Sequence, residues 1–276
     1  MLLQPTDGES AFHHVEFFRM GQAMRVGRYP LHLHAVTDAG GVGNVENVSI
    51  VGVSVHHSFN RGINIHGGTG ATVANSTIYK NLGHAFFVED GSEEGNRFIG
   101  NLGSLTLRAN SLLESDQTPS TYWITNPNNV FEDNIAAGGD AFGFWINLPR
   151  HPGGFLSFSG ATFTDDIFPR HAMLGSFQRN TAHGYRVGFL AHDLDPKVFD
   201  KRRQVKLKRD GWSKRLFKAV DDTPGMRRVA VFSHLTAYSN AETGLIIADM
   251  GEWKAHLILS LVHLHTCSYI PSQAQV

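Results

Sequence analysis

Only one cysteine, Cys267, occurs in the 276 residues, so no internal disulfide framework or multi-cysteine metal site can form and a packed core must supply the stability. Charge is scarce as well. Asp, Glu, Lys and Arg make up 18 % of the chain and the formal net charge is −1, which removes any global attraction to nucleic acid or an acidic membrane. No nucleic-acid recognition module stands out, and none is expected. No hydrophobic run approaches the roughly 20 residues of a membrane span. The opening "MLLQPTDGES" meets Pro5 and Asp7 before any stretch of signal-peptide length, so no signal peptide is expected. No Lys-Ser/Thr follows Gly67, Gly68 and Gly70 at Walker spacing, which excludes a phosphate loop. Residues 11 to 18, "AFHHVEFF", already have the character of mid-fold strand, as in a piece of a longer protein.

Glycine, by contrast, is plentiful at 29 residues, set among short apolar runs. The segment from 48 to 68, "VSIVGVSVHHSFNRGINIHGG", matches "TVANSTIYKNLGHAFFVEDG" at an offset of 23, placing Ile50 on Val73, Val55 on Ile78, Ile63 on Phe86 and Ile65 on Val88. Similar units recur at 129 to 146, 175 to 193 and 230 to 249. A period in the low twenties, built of short β-rich segments and Gly/Asn turns, is what one coil of a parallel β-helix needs. An antiparallel sandwich would not repeat whole units at this spacing. The expected fold is all-β: a single right-handed parallel β-helix of seven or eight coils over residues 1–276, with long loop insertions at about 103–128, 148–172 and 197–218. The third insertion carries ten Lys/Arg against two Asp, a local attraction for an acidic polymer.

"GRYPLHLHAV", residues 27 to 36, alternates Leu31 and Leu33 with His32 and His34 after a proline that a helix interior would not accept. As a strand, its leucines face inward and its histidines outward. Stacking the coils then places His34, His66 and Glu89 in one outward column and His32, Asn64 and Phe87 in the next, with His84 and Asp90 at the two ends of the third strand. Three imidazoles and a carboxylate, His32, His34, His66 and Glu89, suit zinc or a similar metal. Calcium would prefer oxygen, from Glu89, Asp90, Glu93 and Glu94. Without a metal, His34, His66, His84, Glu89 and Asp90 could supply acid and base catalysis. Solvent-facing ladder residues without a chemical role are the plain alternative. Glu89 and Asp90, being consecutive, make a poor glycosidase pair unless the strand ends between them.

Arg28, His32 and Arg61 are candidates to bind an anionic substrate, and Trp123 and Trp145 to stack on sugar rings, although aromatic residues in such stacks more often belong to the core. "NVS" at 47 and "NST" at 75 fit the N-glycosylation pattern, but both asparagines fall where a β-helix turns, which is the favoured role.

The segments "RYPLHLH", "VHHSFNRGINIHG", "NLGHAFFVEDG" and "YWITNPNN" followed by "NIAAGGDAFGFW" together resemble the G8-domain family of cell migration-inducing and hyaluronan-binding proteins. The resemblance is specific over residues 28 to 147. It implies a right-handed parallel β-helix at the cell surface or outside the cell, an acidic polysaccharide such as hyaluronan as partner, and depolymerisation of a glycosaminoglycan as a possible activity. A noncatalytic adhesion or scaffold segment is the alternative. The G8 domain that names the family has no counterpart among these residues.

Overall fold

The computed structural model describes residues 2–3, 10–34, 43–110, 114–153, 166–191, 229–247 and 253–260. The basic segment 197–218 and Cys267 lie outside them.

Each repeat folds into short strands that pair in parallel with the equivalent strands of the coils before and after it. One sheet holds eight strands, including Leu31–His34, Ile63–His66, Phe86–Val88, Ser120–Ile124, Phe142–Ile146, Val187–Ala191 and Thr243–Ile247. A second, 14-stranded sheet runs along one wall, crosses through the long strand Ala230–Tyr238, and returns along the neighbouring wall. Every strand pairing among the described residues is parallel, and the four alignments of the offset-23 repeat hold: Ile50 opposite Val73, Val55 opposite Ile78, Ile63 opposite Phe86, Ile65 opposite Val88.

The bend between the two walls has a simple backbone cause. His14, Gly52, Asn75, Gly100, Asp133, Arg179 and His234 occupy successive corners, each with φ between 48° and 65°. One left-handed residue turns the strand without breaking the ladder, which continues through it: Gly52 N–H donates to Ala74 and Asn75 N–H to Ile99. At Gly52 the space is already taken, since a Cβ there would lie 2.6 Å from His14 Nδ1. Asn75, from the second glycosylation-like triplet, thus holds the turn position expected of it.

The next residue in several coils points into the corner, and there Ser76, Asn101, Asn134 and Asn180 form a buried ladder. Asn101 Oδ1 accepts from Ser76 N–H at 2.9 Å, Asn134 Oδ1 from Asn101 N–H at 3.0 Å, and Asn180 Oδ1 from Asn134 N–H at 3.1 Å. Buried amides paired in this way satisfy strand-end backbone groups that would otherwise be costly. Deeper inside, Phe86, Tyr122, Phe144 and Phe189 stack coil upon coil, with centroids 4.8, 4.4 and 4.9 Å apart.

The first insertion is shorter than the sequence suggests. Leu102–Leu107 and Ser120–Ile124 are strands that pair in parallel with their neighbours, so both belong to the stack. Its polar composition misleads because Thr106, Thr121 and Tyr185 pair inside the core, with Oγ1–Oγ1 at 2.7 Å and Thr121 Oγ1 to Tyr185 Oη at 2.5 Å. Of the second insertion, 154–165 lies outside the described residues; Pro169–His171 forms a single 3-10 turn.

Candidate functional site

On the outer face of the eight-stranded sheet the histidine strand lies between the short edge strand Leu2–Leu3 and Ile63–His66, and the expected register holds: His32 lies opposite Asn64 and His34 opposite His66. The face is more covered than alternation alone suggests, with His32 and His66 each only 3 % exposed. Two segments fold over it. The turn before the histidine strand brings in Tyr29, whose ring lies 4.9 Å from that of His32. The excursion after Leu107 brings in Asp116, which receives Arg61 Nε at 2.8 Å and Nη2 at 3.0 Å. Arg61 is fully buried, sits 4.0 Å over the Phe87 ring and donates to Tyr29 Oη at 3.1 Å, so it pins the cover to the sheet. Arg28 stays exposed in the preceding loop.

Around His66 the groups converge. The strand Phe86–Val88 ends before Glu89, which frees the consecutive carboxylates from opposite faces. Asp90 Oδ2 lies 2.6 Å from His66 Nε2, and Glu89 Oε2 lies 3.6 Å from its Nδ1. One imidazole therefore stands between two carboxylates. Burial opposes charging it, but the Asp90 hydrogen bond and the charges of Glu89 and Asp90 outweigh that and raise its pKa to about 9. Glu89 also accepts from Asn64 Nδ2 at 2.6 Å and lies 3.8 Å from Arg61. Its side chain is 14 % exposed, which with half-buried His34 makes the accessible edge of the cluster.

Glu93 holds the turn that presents Asp90. Its carboxylate accepts the N–H groups of Gly67 at 2.9 Å, Gly91 at 2.8 Å and Asp90 at 3.1 Å. Burial, with the Asp90 charge added, pushes its pKa up to about 7. Committed to the backbone in this way, Glu93 does not complete the all-oxygen calcium set, and Glu94 is an exposed partner of Asn128. Among the described residues, the group that brings metal-ligand atoms within 4.8 Å of one another is His32, His34 and His66.

His84, Trp123 and Trp145 lie farther along the same face. His84 is wholly buried; Ser120 N–H donates to its Nδ1 at 3.0 Å, and its ring packs 4.6 Å from Trp123 and 5.0 Å from Phe87. Burial lowers its pKa to about 3, so it is neutral. Trp123 and Trp145 belong to a buried apolar cluster with Phe87, Phe142, Val187 and Leu190, which is the core role for both indoles. The sequence reading did not single out Tyr29 and Asp116, whose positions depend on how two loops fold back.

With the geometry in place, the CEMIP beta-helix family model matches residues 2–189. The chain belongs to the CEMIP β-helix family. Mouse cell migration-inducing and hyaluronan-binding protein is 32 % identical over 270 residues, covering 87 % of this chain and 19 % of the relative. Human cell surface hyaluronidase CEMIP2 is 30 % identical over 263 residues, 84 % of this chain and 18 % of the relative. Mouse fibrocystin-L is 41 % identical over 171 residues, 62 % of this chain and 4 % of the relative. The chain thus spans less than a fifth of each of these relatives' lengths. Within the family's β-helix, the polar cluster of this chain falls inside the matched region. No helix of the described residues is long and apolar enough to cross a membrane.

Proposed function

We propose that this chain is the polysaccharide-facing segment of a cell-surface or extracellular protein, a right-handed parallel β-helix that binds an acidic glycan of the hyaluronan type and cleaves it. The observation that carries the reading is the convergence of His34, His66, Glu89 and Asp90 at the partly open end of the outer face, in a family whose relatives include a hyaluronan-binding protein and a cell surface hyaluronidase. Parallel crossovers in one sheet are right-handed in almost every known case, which supports the hand.

The chemistry follows from the arrangement. Both carboxylates face one imidazole, so His66 with Asp90 forms an acid–base unit, and Glu89, held by Asn64, is the carboxylate at the accessible edge beside His34. His34 and exposed Arg28 are placed to meet the sugar and its carboxylate. Buried Arg61, His32 and His84 act from behind as positioning residues, and Trp123 and Trp145 support the sheet beneath. A scaffold reading has one observation in its favour: fibrocystin-L, the relative of 41 % identity, carries no enzymatic name.

The test is incubation of the purified protein with hyaluronan, chondroitin sulfate and a neutral glucan, sizing the products and measuring binding at low and high salt. Expected are salt-sensitive binding of the acidic polymers, shortening of hyaluronan, and loss of shortening in Glu89→Gln with binding retained. Binding with no shortening by either form establishes the scaffold; no binding of any acidic polymer at low salt overturns both readings.

A further inference from the structure

We propose that His32, His34 and His66 form a binding site for a borderline divalent transition metal, zinc in particular, with Asp90 and the Gly27 carbonyl orienting two of the imidazoles from behind. The inference does not rest on polysaccharide recognition, and its readout is metal retention.

The hydrogen bonds assign the ring nitrogens. His32 Nδ1 lies 2.9 Å from the Gly27 carbonyl oxygen, which can only accept, so the proton is on Nδ1 and the lone pair is on Nε2. That Nε2 is buried and has no hydrogen-bond partner among the described residues, an arrangement that is costly unless something fills the position. His66 gives its Nε2 side to Asp90 at 2.6 Å, which turns Nδ1 toward His34. A histidine bound by a carboxylate or a backbone carbonyl on its far nitrogen is the usual support of a metal-ligating imidazole, because the bond fixes both ring orientation and tautomer. His32 and His66 each have one.

The nitrogens are also close enough to share an ion. His34 Nδ1 and His66 Nδ1 stand 3.0 Å apart, close to the spacing of two ligands each about 2.0 to 2.1 Å from one metal. One nitrogen from each of the three rings falls within 4.8 Å of the other two. The His32 and His66 rings are parallel to within 4°, with His34 tilted between them at 4.9 Å from each. Three imidazoles favour zinc, copper, nickel or cobalt over calcium or magnesium, which take oxygen. Three protein ligands leave a position open, and half-buried His34 with Glu89 marks the side from which a water or a substrate oxygen would reach it.

The experiment uses protein purified without an affinity tag, stripped with chelator and reloaded with zinc or cobalt(II), with metal content measured by elemental analysis and affinity by competition. Expected are about one equivalent of metal, a cobalt visible spectrum of nitrogen ligation, and no displacement by excess calcium. In His34→Ala, which removes a half-buried side chain, affinity falls more than about tenfold while the circular dichroism of the metal-free protein is unchanged. Asp90→Asn weakens binding about 10- to 100-fold. Zinc raises the melting temperature of the parent protein and not of His34→Ala, a readout that survives if Asp90→Asn folds poorly. Substoichiometric metal after reloading, unchanged affinity in His34→Ala, or displacement by calcium would each overturn the site.

Discussion

One column of side chains on the outer face of the eight-stranded sheet changes character partway along. In register it reads Leu2 on the short edge strand, then His32, Asn64, Phe87, Trp123, Trp145, Leu190 and Ile246. The coils of His32 and Asn64 are polar there and carry the imidazoles; those from Phe87 onward are aromatic and aliphatic and form a second buried core outside the sheet. The backbone is the same in both halves. The parallel ladder therefore serves as a neutral frame, and the identity of every second residue decides whether a coil builds a site or a packing surface. His84 stands at the border, a polar group buried among aromatic rings.

Breaking the apolar half should have the largest effect. Trp145→Ala removes a fully buried indole and is expected to cost about 3–5 kcal/mol, read from urea unfolding. If the two halves are distinct in function, zinc retention of the folded variant stays unchanged; parallel loss of metal would show that the halves are one unit.

The border residue sharpens the comparison through pH. His84 is held neutral with its pKa lowered to about 3, whereas in the unfolded chain it titrates near the ordinary histidine value of about 6.5. Above that value it contributes no slope. As pH falls from about 6.5 toward 3, the unfolded state takes up a proton that the folded state refuses, so stability drops by up to about 1.4 kcal/mol per pH unit. His84→Gln should flatten that part of the stability–pH curve, measured by denaturant unfolding from pH 7 to 4. An unchanged slope would mean the ring is reached by water.

The smallest effect should come from the other sheet. Arg179 pairs with Asp133 at 2.7 Å, but both side chains are nearly half exposed. Arg179→Ala is expected to cost under about 1 kcal/mol, and less at high salt. A larger loss would place an energetic role on a wall that the comparison treats as passive.

Much of this was legible in the residues. The offset of 23 placed Ile63 on Phe86 and Ile65 on Val88, because parallel stacking must put apolar residue on apolar residue in every coil. The same register put His34 beside His66. What misled was composition. Ser104 and Thr106 look like loop residues, yet they sit in a strand because Thr106 finds Thr121 inside the core. Trp123 and Trp145, candidate sugar platforms, are packed away because Phe87 of the preceding coil stacks on Trp123 and Phe142 of Trp145's own strand packs edge-on against it.

Sequence by itself determined the period, the inward and outward faces, and which imidazoles share a column, since these follow from two-residue alternation and coil-to-coil register, both local properties of the chain. Tertiary structure alone decided that the outer face is covered, that Arg61 is a buried pin to Asp116, and that both carboxylates after Val88 turn toward His66. Those outcomes depend on how loops fold back across the sheet. No periodicity encodes the path of a loop, because it is set by the few long-range contacts found at its end.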